Sequence, residues 1–253
     1  MTKLPDHVFL TAKTMADTAP LAFAEEMFAI LDRPEHRVRP KQIWGDREKH
    51  KTIFSGIDSA APFWTRINRF GTLSFLSWSS PGGPRSKVHF RHPFVRSMDG
   101  VRFPGDFSLT AAISRKVDWQ KLFERLCAHM ESGDAFLAAI VEYHSGISMI
   151  QDRDRPWIDF HGHSACLSPR YLTDAILASV KAEGFPTGEI GTSRLVSVSD
   201  NIFDALDRAD WYAERQALLR KLLNPEDRRR DTRIYKFNPD GSLGELLAGQ
   251  EGR

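Results

Sequence analysis

The stretch FSLTAAISRKVDWQKLFERLCAHMESGDAFLAAIV, residues 107–141, decides the fold of this chain. Its first seven residues place apolar side chains at alternate positions, which is the pattern of a strand with one buried face. Asp118 is a favourable N-cap, and the apolar residues after it recur as a single helical stripe that is closed by Gly133. The stripe consists of Trp119, Leu122, Phe123, Leu126, Cys127 and Met130. The continuous apolar run 136–141 predicts a buried strand, so the stretch forms a strand-helix-strand unit.

Similar patterns on both sides of this unit predict the remaining elements. They are a helix from Leu21 to Pro34, a hairpin of 72–79 and 87–91 around Pro81-Gly82-Gly83-Pro84, a strand at 157–161, a helix from Ser168 to Gly184, a strand at 194–198 and a helix at 209–223. Strands outnumber helices and first arrive in a cluster, which favours an α+β fold with a mostly antiparallel sheet and packed amphipathic helices. We expect a single domain over residues 1–225, followed by a polar tail at 226–253.

Composition limits the classes of function. A chain of 253 residues with 41% hydrophobic content can bury a substantial core, and its net charge of +2 provides no global field that would attract nucleic acid. The N-terminus lacks the pattern of a secretory signal, and no apolar run approaches the roughly 20 residues of a membrane span. We therefore expect a cytoplasmic protein that does not bind membranes. Cys127 and Cys166 have no paired spacing, which suits reduced thiols in the core.

The sequence Asp159-Phe160-His161-Gly162-His163 offers the most suggestive chemistry. In a strand, alternate residues share a face, so Asp159, His161 and His163 could together approach a divalent metal. The same pattern is more typical of a polar strand edge that faces solvent, and the sequence does not rank the further ligand candidates His89, His92, Glu142 and His144. No nucleophile motif or phosphate-binding glycine loop accompanies these residues.

Two surface segments could recognise a partner. Residues 33–51 carry many Lys and Arg side chains around Trp44, and we expect a solvated surface segment there rather than a nucleic-acid-binding site. Further along, Asp200, Asp204, Asp207 and Asp210 precede Trp211 and Tyr212. These carboxylates could cap a helix start and compensate its dipole, or they could meet a basic partner surface.

The chain resembles bacterial immunity proteins of the immunity protein 52 type. The resemblance lies in Trp44-Gly45 after the first helix, in the strand-helix unit around Trp119, and in the closing segment 191–225. It implies a cytoplasmic protein without a catalytic motif, cofactor or bound metal, which binds a secreted toxin of the polymorphic or type VI kind, nuclease-like in activity, and occludes it. The residues that we expect to contact the toxin are Asp200, Asp204, Asp207, Trp211 and Trp44. The alternative is a metal-dependent hydrolase that uses Asp159, His161 and His163.

Overall fold

A computed structural model describes most of the chain. The described residues are 7–45, 50–69, 76–79, 83–95, 102–140, 158, 160, 162–225, 235–237 and 243–245. The chain divides into two compact units, residues 1–223 and residues 224–253. The second unit contains one antiparallel pair of strands, which are numbered β13 (Tyr235–Phe237) and β14 (Leu243–Glu245) after the strands of the first unit.

One ten-stranded sheet forms the centre of the first unit. Its strands are β1 (His7–Thr14), β2 (Gln42–Gly45), β3 (Thr52–Ile53), β4 (Leu76–Ser79), β5 (Ser86–Arg91), β8 (Gly105–Ala112), β9 (Asp134–Ile140), β10 (Ser164–Leu167), β11 (Thr187–Ile190) and β12 (Ser193–Ser197). Their order is β11-β12-β10-β9-β1-β8-β5-β4-β2-β3, and every pairing is antiparallel. A separate short pair joins β6 (Phe94–Val95) to β7 (Arg102–Phe103).

Helices accompany two hydrophobic clusters, one on each face of the sheet. The helices are α1 (Leu21–Asp32), α2 (Ile57–Arg69), α3 (Trp119–His129), α4 (Asp174–Ala182), α5 (Asp204–Asp207) and α6 (Ala209–Leu223). The first cluster joins residues of α1, α2 and α3 to the sheet, and the second joins residues of α4 and α6 to it. On β9, Leu137 belongs to the first cluster and its neighbour Phe136 to the second, so the clusters lie on opposite faces. The predicted α+β fold is therefore confirmed.

The predicted helix after Asp118 is also confirmed. The Asp118 carboxylate accepts the Lys121 backbone N–H at 3.0 Å, as an N-cap does, and the predicted apolar stripe is buried in the first cluster. The helix ends at His129, before Gly133, because Glu131 takes the left-handed conformation with φ of 48°. Gly133 instead lies against Ser168, the residue that follows β10, and an added Cβ would stand 2.9 Å from the Ser168 Cβ.

In the first half of the chain, one prediction needs correction and one strand was not predicted. Residues 33–51 are not simply a surface segment, because β2 runs through them and His36, Val38 and Ile43 are buried. The strand β1 at the centre of the sheet was not predicted, although Val8, Leu10 and Ala12 alternate with half-exposed residues.

Two further corrections concern the second half. The described residues Ile158 and Phe160 of the predicted strand 157–161 are buried but not in a strand, and the Phe160 N–H donates to the Ile158 carbonyl rather than to a neighbouring strand. The strand lies later, at β10. Likewise α4 begins at Asp174 rather than at Ser168, because the Thr173 hydroxyl caps it by accepting the Ile176 N–H. Within the described residues, no helix is both long and apolar enough to cross a bilayer.

Candidate partner-binding surface

The segment from Ser199 to Tyr212, hereafter the acidic segment, is fixed at both ends. At its start the Ser199 hydroxyl donates to the Asn201 carbonyl, and the Asn201 side chain accepts the Phe203 N–H at 3.0 Å. Ile202 is buried in the first cluster and Tyr212 in the second. The acidic segment therefore runs from one face of the sheet to the other and is packed against the core on both faces.

The four carboxylates of the acidic segment differ in exposure. Asp200 and Asp210 are exposed, Asp207 has 46% of its side chain exposed, and Asp204 only 13%. They do not share one continuous helix, because the backbone leaves the helical conformation at Arg208, between α5 and α6. Asp204 therefore belongs to the packed side of the acidic segment, and the other three carboxylates belong to its solvent side.

Arginines neutralise two of these carboxylates. Arg208 bridges Asp204 at 2.9 Å, and Arg115, from the loop before α3, bridges Asp207 at 2.5 Å. Burial raises the pKa of Asp204, but the hydrogen bond from Arg208 and its positive charge oppose burial, and the pKa lies below its ordinary value. The hydrogen bond to Asp207 raises the pKa of Arg115. The surface is consequently one of mixed charge rather than purely acidic.

Trp211 stands within this mixed surface. The Arg208 guanidinium carbon lies 3.8 Å from the centre of the indole ring, and that of Arg215 lies 5.3 Å from it. Arg215 is itself held by hydrogen bonds to the carbonyls of Val198 and Gly184. The half-buried indole is therefore held in place by cation–π contacts.

The structure does not bring Trp44 together with the other predicted contact residues. Trp44 lies on β2, half-buried, with the Lys51 ammonium 4.7 Å from its ring centre. Six strands separate β2 from β12, after which the acidic segment begins. At about 4.8 Å between neighbouring strands, that distance is roughly 34 Å, so one small contact patch could not include both tryptophans.

Of the three residues of the hydrolase alternative, only His163 is among the described residues. Asp159 and His161 lie outside them, as do Glu142 and His144. His163 is fully buried, its Nδ1 lies 3.3 Å from the Tyr212 hydroxyl, and its Nε2 finds no hydrogen-bond partner among the described residues. Burial lowers the pKa of His163 to about 4, so its ring is neutral at pH 7.

Across the described residues, no three His, Cys, Asp or Glu side chains form a group that could hold a metal ion. His92, which the sequence offered as a further metal ligand, is instead held by a hydrogen bond and by aromatic packing. Its Nδ1 lies 2.5 Å from the Thr18 hydroxyl, and its ring meets the rings of Trp64 and Phe90 edge-on.

A row of alternating charges was not predicted from the sequence. It crosses β5, β8, β1 and β9 on one face of the sheet, and its members are Arg91, Asp106, Lys13 and Asp134. The Arg91–Asp106 pair measures 2.5 Å and the Lys13–Asp134 pair 2.8 Å. Burial raises the pKa of Asp106 against the opposing effect of Arg91 and Lys13. The polar positions of the alternating strands were the available signal, but only the strand register shows that they align.

Comparison with known proteins found no match to this chain. No family model matches the chain, no curated protein matches it, and no solved structure matches it.

Proposed function

We propose that this protein is a bacterial immunity protein that binds a cognate secreted toxin, nuclease-like in activity, and neutralises it by occlusion. The proposal rests on the resemblance to the immunity protein 52 type. Among the described residues, the observation that supports it best is the acidic segment, where carboxylates and a tryptophan stand at the surface on a firmly packed backbone.

A prearranged surface suits tight binding. Ordering loops and side chains on association costs free energy, and that cost falls when the contact residues are already fixed. Trp211, Arg208 and Arg115 are fixed by cation–π contacts and ion pairs, and tryptophan and arginine are the residue types in which binding energy concentrates. The exposed carboxylates of Asp200 and Asp210 would steer the approach of a basic partner.

The packing determines which residues can test this proposal. Asp204 bridges Arg208 and is mostly buried, so its reversal to Lys would disturb the fold as well as any interface. Asp200 and Asp210 are exposed. The variant for the test is therefore Asp200→Lys with Asp210→Lys.

The experiment measures rescue of cells that express the secreted protein encoded by the neighbouring gene. Wild type should rescue, and the Asp200→Lys, Asp210→Lys variant should rescue less and bind the toxin more weakly as salt increases. A matched control, Glu25→Lys with Asp58→Lys, makes the same change in net charge at exposed positions of α1 and α2 and should rescue fully. Melting curves of both variants verify folding.

Two outcomes would contradict parts of the proposal. Full rescue by the Asp200→Lys, Asp210→Lys variant would move the interface elsewhere, with the Trp44 surface the next to test. Failure of wild type to rescue, or a neighbourhood of metabolic genes without a secreted toxin, would contradict the immunity function itself.

The alternative, a metal-dependent hydrolase, has one observation in its favour. The His163 Nε2 atom is buried and accepts no hydrogen bond from the part of the chain that the structure describes, and a neutral imidazole nitrogen in that state is a competent metal ligand. About one zinc or manganese ion per purified chain, lost on His163→Ala, would support this alternative over the immunity function.

A further inference from the structure

Among the described residues, helices cover only part of one face of the sheet. The second cluster takes members from β9, β10 and β12, and within the described part of the chain it takes none from β1, β8 or β5. On these three strands the side chains that point away from the first cluster are half-buried or exposed. This side of the sheet, from β1 across β8, β5 and β4 to β2, is hereafter the open face.

A stripe of basic side chains runs along β5 on the open face. Lys87, His89 and Arg91 occupy alternate positions of the strand. Arg85 continues the series, since its carbonyl accepts the Ala112 N–H from β8 at 2.7 Å in the same ladder. Arg85 and Lys87 are exposed, and neither forms an ion pair with another described residue. Alternate residues of a strand are about 6.7 Å apart, which is close to the separation of neighbouring phosphates along an extended nucleic-acid strand.

Carboxylates on the open face are confined to one end of the basic stripe. Asp106 on β8 bridges Arg91, the last residue of the stripe, and Asp134 on the adjoining β9 bridges Lys13 in the same row. Toward Arg85, the described side chains of the open face include no carboxylate. The stripe therefore attracts anions locally, although the net charge of the whole chain is only +2.

An aromatic ring flanks the basic stripe on each side. Trp44 of β2 lies in the row of His89, two strands away across β4, and Phe9 of β1 lies in the row of Lys87, two strands away across β8. Both rings are half-buried, at about 10 Å from the stripe, and the Lys51 ammonium adds a cation 4.7 Å from the Trp44 ring centre. Only the strand register brings these residues to one face, so the sequence alone did not indicate this arrangement.

We propose that the open face binds single-stranded nucleic acid, with phosphates along the basic stripe and bases stacked on Trp44 and Phe9. Proteins that bind single strands combine a basic track for the backbone with aromatic side chains for the bases, and an antiparallel sheet can supply both. A broad sheet face does not enter the groove of a duplex, which admits a helix or a two-stranded ribbon. An acidic peptide would meet the cations but would leave the flanking rings without a role.

The experiment measures binding of the full-length protein to labelled oligo(dT) and oligo(U) of about ten nucleotides by fluorescence anisotropy. Both oligonucleotides are used because neither the stripe nor the rings distinguish the sugar. Wild type should bind the single strand more tightly than a duplex of the same length and more tightly than poly-glutamate. Its affinity should fall as the salt concentration rises from about 50 to about 200 mM.

Two variants separate the roles of charge and stacking. Arg85→Ala with Lys87→Ala removes two exposed cations, so binding should weaken and the slope of log affinity against log salt should decrease in magnitude by about 1.4. The matched control, Lys121→Ala with Lys181→Ala, removes two exposed cations from α3 and α4 and should leave the slope unchanged. Trp44→Leu removes one stacking ring and should weaken binding by roughly 5- to 150-fold, with a melting curve to verify folding.

Three results would overturn the proposal. They are no binding by wild type at about 50 mM salt, duplex or poly-glutamate bound as tightly as the single strand, and unchanged binding by the Arg85→Ala, Lys87→Ala variant. Poly-glutamate bound as tightly would identify an acidic peptide as the partner. Because Arg85 and Lys87 are exposed, their variant tests the proposal even if Trp44→Leu fails to fold. The acidic segment is not used in this experiment, so its outcome is independent of the toxin-rescue test.

Discussion

The stability of this protein should depend strongly on pH, and His92 allows that dependence to be tested at one residue. His92 is 4% exposed, between the Thr18 hydroxyl, the Trp64 carbonyl and the rings of Trp64 and Phe90. Burial lowers its pKa from 6.5 to about 4, against the opposing hydrogen bond to Trp64 and the charge of Asp17. The folded protein therefore holds the ring neutral at pH values where the unfolded chain has already protonated it.

The direction of the effect follows from this difference. Between pH 6.5 and pH 4, His92 binds more protons in the unfolded chain than in the folded chain, so its contribution to the free energy of unfolding falls as the pH falls. With these two pKa values the loss from His92 is about 2 kcal/mol at pH 5 and about 3 kcal/mol at pH 4, relative to pH 7. Burial also lowers the pKa values of His36 and His163, which add to the loss in the same direction.

The assay is urea unfolding at a series of pH values from 7 to 4, for wild type and for His92→Asn. The asparagine amide can hydrogen-bond Thr18 but does not titrate, so the variant should lose less stability on acidification than wild type, by about 2 kcal/mol at pH 5. Its absolute stability at pH 7 is not the readout. His7→Asn, at an exposed position, is the matched control and should leave the slope unchanged. Parallel curves for wild type and His92→Asn would refute the reasoning.

Three further predictions concern core packing, a close backbone approach and metal content. Phe123 is fully buried in the first cluster, so Phe123→Ala should cost about 3 to 5 kcal/mol of unfolding free energy in urea titration, and an unchanged midpoint would show that α3 is not packed as described. Gly105→Ala would place a Cβ 2.6 Å from the Arg91 carbonyl oxygen and 2.7 Å from the Pro93 ring, so it should lower stability by about 1 to 3 kcal/mol, and a neutral effect would contradict that close approach. Elemental analysis of gently purified protein should find no stoichiometric transition metal, and one ion per chain would contradict this expectation.

Local signals explain what the sequence could predict about the fold. The unit at 107–141 was predicted correctly because its alternation, its Asp118 cap and its helical stripe are all short-range features. The strand β10 was missed because all four of its residues are buried and no alternation marks it. Helix α2 was missed as well, since Pro62 interrupts its pattern, yet it supplies the buried Trp64.

The candidate surface depended on long-range contacts that no local pattern reveals. The sequence places four aspartates before Trp211, and this much was visible. It does not show that Arg115, 92 residues before Asp207, reaches back to neutralise it. Nor does it show that Asp204 faces the packed side of the acidic segment or that Trp44 lies far across the sheet.

The strand β9 determines whether the first unit can be divided. Phe136 and Leu137 are consecutive, yet one packs with β10, α4 and α6 while the other packs with β1 and α3. A fragment ending at residue 140 would keep β9 but expose the Phe136 face to water, and a fragment beginning at residue 158 would lack the strand on which its own helices close. The two helix layers therefore pack on opposite faces of the same strand, β9. Neither half of this unit could be inherited, expressed or exchanged as a separate domain.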